Sequence, residues 1–218
     1  MCGRFVNINK MRKIEKLFDI QNNLLKNESI SYNIAPSQKI NVILFNKEYI
    51  IENLKWGINF FDRKQNINKQ IINSRVETIG TNLFFKESYN KKRCLVPSNG
   101  YYEWSIKNGI KDPYFFEIPN LETFFFPAIW KFDNFKENLS KSFSIITKPA
   151  NNQVKYIHHR MPIILSYYEA INYINNDKTN YFDKNFVSDI EPEIDYHKVS
   201  KFVNSPSNNS IECIKFIN

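Results

Sequence analysis

Apolar residues change period along this chain, and the changes mark its elements. Residues 1–6 read as a terminal strand. In MRKIEKLFDI, which starts at Met11, Ile14, Leu17 and Phe18 recur at helical spacing and predict a helix. NNLLKNESI is polar and turn-like, and Pro36 in SYNIAPSQK demands an extended path or a turn. KINVILFNK predicts a strand, NKEY its turn and IIENLKWGI the returning strand. DRKQNINKQ reads as a charged loop. Weak apolar spacing in SRVETIGTNLFFKESYNKK predicts a short helix. KKRCLVPSNGYYEWS sets strand-like ends around a Pro-Ser-Asn-Gly turn. SIKNGIKDPYFFEI predicts a hairpin with Asn108-Gly109 at its bend. FFFPAIWKF and KSFSIITKP add strands, and LSYYEAINYINN, after Pro162, is the clearest later helix. From Tyr181 on the pattern is mixed.

Neither a repeat nor a low-complexity linker divides the chain, so one domain over residues 1–218 is expected. Mostly antiparallel strands with a few helices predict an α+β fold, or a barrel-like sheet with helices outside it. The length of 218 residues is enough to bury a real core. No G-x-G-x-x-G and no Walker A stretch is present, which weighs against nucleotide-cofactor folds. A formal charge of +8 suits a polyanionic partner such as nucleic acid. Drift toward lysine would give the same charge, so it supports that partner without establishing it. The cysteines, Cys2, Cys94 and Cys213, are odd in number and form no C-x-x-C pair, which fits a reducing compartment. With His159 and His197 they show no zinc-like spacing, and no metal is expected. No apolar run is long enough for a signal or a membrane span, so a soluble cytoplasmic protein is expected.

Chemistry concentrates at a few positions. Cys2 follows the initiator methionine, which is commonly trimmed before a small residue. A trimmed chain would present an amine and a thiol on adjacent carbons, suited to capturing an aldehyde as a thiazolidine. The same thiol could act as an ordinary nucleophile on an amide or ester. Arg4 is close enough in sequence to lower the thiol's pKa. Glu103, between Tyr102 and Trp104, reads either as a general acid or base or as an outward strand residue paired with a lysine. His158, in KYIHHRMPIIL, reads as a proton donor or shuttle, or as a loop cap. Arg75 and Arg160 suit phosphate oxygens or an ordinary surface. Asn73 and Asn33 can hold a substrate by hydrogen bonds. Trp56 reads as a base-stacking platform or, more commonly, a core residue.

In order along the chain, MCGRF, SYNIAPSQ, KWGI, INSRVET, RCLVPSNGYYEW, PAIWK, IHHRMPIIL and VNSPSNNS resemble the SRAP family, the SOS-response-associated abasic-site-processing proteins. The resemblance covers Met1 to about Ser210. It implies a compact α+β domain on a curved, barrel-like, mainly antiparallel sheet with peripheral helices. It implies a monomer that needs no cofactor and works in the bacterial cytoplasm, at the nucleoid. The implied partner is single-stranded DNA with abasic sites, including junctions with duplex. The implied chemistry is a thiazolidine crosslink through Cys2, with self-processing peptidase and crosslink-reversal activities. Catalytic roles fall on Cys2, Asn73, Glu103 and His158, and DNA-binding roles on Arg4, Asn33, Trp56, Arg75 and Arg160. The alternatives are a cysteine peptidase acting on peptides through Cys2 and a non-covalent single-strand-binding module. Ser74, Ser98-Asn99 and Tyr101 depart from the family pattern, as does NFFDRKQ where a Pro and a Trp are usual. The last departure bears on one wall of the groove.

Overall fold

The computed structural model describes residues 2–217 apart from 22, 24, 26, 27, 29, 63, 134–139 and 176–180. The trimming of Met1 lies outside the described residues, as do parts of NNLLKNESI and the last residue of LSYYEAINYINN. The chain runs β1 (Arg4–Asn7), α1 (Met11–Leu17), β2 (Ser31–Ile34), β3 (Lys39–Asn46), β4 (Glu48–Trp56), β5 (Ile58–Asp62), β6 (Ile67–Ile71) and β7 (Asn73–Arg75). It continues through α2 (Val76–Ile79), α3 (Lys86–Lys91), β8 (Arg93–Ser98), β9 (Gly100–Lys107), β10 (Ile110–Glu117), β11 (Phe124–Phe132) and β12 (Lys141–Pro149). β13 (Arg160–Pro162), α4 (Tyr167–Ile174) and β14 (Asp195–Lys198) follow. The α+β class holds.

The expected single barrel-like sheet does not. The strands divide among three sheets: a five-stranded one in the order β14-β10-β9-β1-β2, a seven-stranded one built on β11-β8-β3-β4-β12-β13 with β7 beside β12, and the β5–β6 ribbon. The five-stranded sheet is open, with β14 and β2 at its edges. In the seven-stranded sheet β11 also pairs with β12, β12 runs parallel to both β4 and β7, and β3 meets β8 through one residue pair, Ile43 with Leu95. The physical reason is long-range pairing: β1 pairs with β9, and β12 with β4 and β7, so segments distant in sequence sort into separate sheets, and side chains from neighbouring sheets close the core between them.

The core follows from that division. Phe5, Trp56, Tyr101, Phe126 and Phe143 pack in one cluster, and Phe18, Phe125, Tyr173 and Tyr181 in another. A smaller third cluster gathers Val6, Tyr102, Phe115 and Cys213. The Asn108-Gly109 bend is as predicted: both residues take positive φ, 50° and 77°, and Lys107 pairs with Ile110. The β3–β4 turn is tighter than NKEY suggests, with Lys47 alone between the Asn46–Glu48 pair at φ 66°. DRKQNINKQ is not a loop. It supplies the end of β5 and most of β6, a ribbon whose outer positions are polar and therefore hide the strand period. The single helix expected in residues 74–92 is two short ones, α2 and α3. Helix α4 is closed at its start by Ser166 and Glu169, each side chain bonding the other's backbone N–H. Among the described residues no helix is long and apolar enough to cross a membrane.

Candidate functional site

Strand β9 carries the site. Its first residue must be glycine: a Cβ on Gly100 would lie 2.2 Å from the Phe115 ring and 2.6 Å from the Phe116 carbonyl oxygen. The preceding turn is held by two departures from the family pattern. Asn99 Oδ1 accepts the Ile8 backbone N–H at 2.7 Å, and Ser98 Oγ donates to the Val6 carbonyl at 3.0 Å. Along β9 side chains alternate, so Tyr101 and Glu103 share one face and Tyr102 and Trp104 the other. Tyr101 packs in the same cluster as Cys2, which brings the Glu103 carboxyl toward that cluster. β1 begins at Arg4, opposite Tyr102, so Cys2 and Gly3 leave the sheet beside Glu103.

Cys2 is fully buried. Asn73, on β7 beside Ile145 of β12, donates Nδ2–H to the Cys2 carbonyl at 2.9 Å. Asn73 Oδ1 is buried and has no hydrogen-bond partner among the described residues, so one acceptor waits next to Cys2. His158 stands just before β13, with Nδ1 4.0 Å from Glu103 Oε1. That Nδ1 lies 3.0 Å from the Arg160 backbone nitrogen and 3.1 Å from the Arg160 carbonyl oxygen, so it accepts from the first when the ring proton is on Nε2 and donates to the second when the proton is on Nδ1. The structure thus brings together four residues that are 71, 30 and 55 positions apart in sequence, counting Cys2 to Asn73 to Glu103 to His158.

The electrostatics give each group a state. Burial, helped by the nearby Glu103 charge, pushes the Cys2 thiol well above its ordinary range, so it is a thiol rather than a thiolate. Burial also pushes Glu103 up to about 7, against the pull of Lys111 and the Trp104 backbone N–H. Near neutral pH this carboxyl can either give or take a proton. Burial lowers His158 to about 4, with the charges of neighbouring His159 and Arg160 acting the same way against the hydrogen bond to the Arg160 backbone. At neutral pH it is a neutral hydrogen-bond donor, not a titrating shuttle.

The five expected DNA-binding residues are placed very differently. Arg4 does not turn to the thiol: Nη1 donates to Asn33 Oδ1 at 2.7 Å and to the Val203 carbonyl at 2.8 Å. Asn33 is fully buried, and its Nδ2 donates to the carbonyls of Val203, Ser205 and Asn208. Both residues tie the C-terminal segment to β1 and β2. Trp56 is fully buried, donates Nε1–H to the Ile72 carbonyl at 2.9 Å and stacks on Phe143, so it has no face left for a base. Arg160 is buried in a two-pronged ion pair with Glu77 and also donates to the Thr147 carbonyl at 2.7 Å. Arg75 alone of the five is exposed.

An open cleft of about 610 Å³ is lined by Gly3, Pro36, Glu103, Trp104, Lys111 and His158, among others. Trp104 is the aromatic at this cleft. Its Nε1–H donates to Asn204 at 2.8 Å, and the Lys111 ammonium lies 5.1 Å from its ring centre. Sequence reading passed over both. The signal was present, since Trp104 shares a strand face with Ile106 and faces Pro113 across the hairpin, beyond the point where β1 stops pairing. Among the described residues, no three His, Cys, Asp or Glu side chains converge as a metal site would require.

Residues 1–206 match the family described as SOS response associated peptidase (SRAP). The chain is 31% identical to the Abasic site processing protein YoaM of Bacillus subtilis, over 98% of this chain and 97% of that one. It is 31% identical to the Abasic site processing protein YoqW of the same organism, over 99% of each. An X-ray structure of a protein from Bacteroides thetaiotaomicron shares the fold, with a TM-score of 0.81 and 22% identity over the whole of both chains.

Proposed function

Since the chain belongs to the SOS response associated peptidase (SRAP) family, we propose that it processes abasic sites in DNA by forming a covalent crosslink through Cys2. The observation that carries this reading is the meeting of Asn73, Glu103 and His158 around a buried Cys2 at the end of an open cleft. The reaction uses the chain without Met1. The Cys2 amine adds to C1′ of the open-chain sugar aldehyde, giving a carbinolamine. Glu103, in its acid form, protonates the leaving hydroxyl, and water departs to give the iminium, whose nitrogen keeps its proton. Glu103, now a carboxylate, takes the thiol proton as sulfur adds to the iminium carbon; the C=N electron pair returns to nitrogen, which ends as a neutral secondary amine, and Glu103 ends in its acid form. The product is a thiazolidine and one water. The raised pKa of Glu103 suits both halves of this cycle. His158 offers Nε2–H to the sugar ring oxygen and favours opening. Asn73 orients Cys2, and its open acceptor suits the amine N–H.

The substrate is single-stranded DNA, alone or beside duplex, entering the cleft at Trp104 and Lys111. A flanking base stacks on Trp104, and Arg75 and Lys111 meet phosphates. A missing base lowers the cost of turning the sugar inward. A cysteine peptidase acting on peptides would need a thiolate, and burial of Cys2 opposes that state. The test is Cys2→Ala with an abasic oligonucleotide. It retains salt-sensitive binding and gives no crosslinked band on a denaturing gel. A persistent band removes Cys2 from the reaction, and equal affinity for intact and abasic strands without any adduct leaves a non-covalent binding module.

A further inference from the structure

Beneath the segment that bears His158 lies a buried ion pair that the proposed chemistry does not use. Lys148, on β12, and Glu191 are 3% and 1% exposed, and Lys148 Nζ donates to Glu191 Oε2 and to the Phe186 carbonyl, each at 2.5 Å. Glu191 Oε1 accepts from Asn151 Nδ2 at 3.1 Å. Asn151 Oδ1 in turn accepts the backbone N–H groups of Gln153 and Val154, both at 3.0 Å. The Val154 carbonyl accepts the backbone N–H of His158 at 3.2 Å. Gln153 Nε2 also donates to the Pro192 carbonyl at 3.1 Å, so the same turn is held twice by one segment. These bonds form an unbroken path from the buried pair to the imidazole's own backbone.

We propose that Glu191, held by Lys148 and acting through Asn151, is a positioning residue that sets where His158 stands relative to Glu103 and Cys2. A buried pair of this kind gives little net stability over apolar replacements, so its value lies in fixing a geometry. The loop from Asn151 to His159 spans β12 to β13 and carries little regular structure of its own. Its ends are tied by the Ala150 N–H to the His159 carbonyl at 3.0 Å, by the Asn151 N–H to Met161 Sδ at 3.5 Å and by the Arg160 pairing to Pro149. Without the Glu191 anchor the turn would be free to shift by an ångström or so, enough to cost on the order of tenfold or more in rate.

The proposal rests on the crosslinking reading for its rate arm alone. Two variants test it: Asn151→Ala, which cuts the link and leaves the pair intact, and the double Lys148→Met/Glu191→Gln, which removes both charges together. The first measurement is the NMR titration of the His158 ring, independent of any reaction. Asn151→Ala is expected to move its midpoint upward from about 4 toward the ordinary value of 6.5 as the ring leaves its buried setting. The second is the crosslinking rate, expected to fall about tenfold while affinity for intact single-stranded DNA stays within about twofold. An unchanged midpoint in folded Asn151→Ala overturns the proposal, whatever the rate does. If the wild-type protein forms no crosslink, the functional reading fails and the midpoint still decides this one. If the double variant does not fold, Asn151→Ala decides alone.

Discussion

Replacing Glu103 with glutamine is expected to stabilise the protein at alkaline pH while it removes the proposed chemistry. The carboxyl is 2% exposed, and its pKa is raised from 4.5 to about 7. The folded state therefore holds the proton more tightly than the unfolded state between those two values. Stability must fall as pH rises through that window, and the loss is complete above about pH 7. The shift of about 2.5 units corresponds to roughly 3 kcal/mol at most. Glutamine carries no charge and never incurs that cost, though its amide has its own hydrogen bonds to find, so a gain of about 1–3 kcal/mol is expected. For a chain of this size each kcal/mol raises Tm by about 2–4 °C. Urea unfolding of wild type and Glu103→Gln at pH 4.5 and pH 8.5 measures the difference directly. The variant should match the wild type at pH 4.5 and exceed it at pH 8.5. An equal difference at both pH values, or a variant less stable at pH 8.5, would refute the reasoning from burial.

Crosslinking should slow as pH rises above about 7, where Glu103 no longer enters the cycle with the proton that the leaving hydroxyl needs, and should show no inflection near His158's ordinary value of 6.5, because His158 is already neutral there; a rate that climbs with pH through 7 would remove Glu103 as the acid. Trp104→Ala should weaken single-stranded DNA binding by about 1–3 kcal/mol with little change in Tm, whereas Trp56→Ala should destabilise the fold by about 3–5 kcal/mol, and fluorescence anisotropy beside thermal melts separates them. Arg75→Ala should lower DNA affinity and flatten its salt dependence by about one ion without loss of stability, while Arg160→Ala, which strands Glu77, should unfold more readily by about 3–5 kcal/mol in urea.

Much of the architecture could be read from residue periods, because those periods are set by which face is buried. The Asn108-Gly109 bend was legible since only such residues accept positive φ twice in succession. The β5–β6 ribbon was not, because a ribbon with polar residues outward has no two-fold contrast to detect. Strand β14 hid in the mixed tail for a related reason: it is an edge strand of four residues whose role appears only when β10 is beside it. The division into separate sheets depends on pairings between distant segments, such as β12 with β4 and β7, which local pattern does not encode.

The site divides in the same way. Cys2, Asn73, Glu103 and His158 were named from residue type and from family resemblance, and the structure sets them around one point. Which arginine meets solvent could not be named that way. Arg4, Arg75 and Arg160 look alike in sequence, yet Arg4 is bound to Asn33 and Val203, Arg160 to Glu77 and Thr147, and only Arg75 is exposed. The same holds for tryptophan: Trp56 lies inside and Trp104 at the cleft, a distinction set by strand register rather than by neighbours in sequence.

The central claim is that the second residue, freed of the first, captures one sugar aldehyde with both its nitrogen and its sulfur. Intact-mass analysis after incubation with an abasic oligonucleotide tests it most directly. The account predicts a single species equal to the chain without Met1 plus the oligonucleotide less one water, with the added mass located on Cys2 by peptide mapping. A protein that keeps Met1 and stays free, or one that carries the oligonucleotide on another residue, would contradict it.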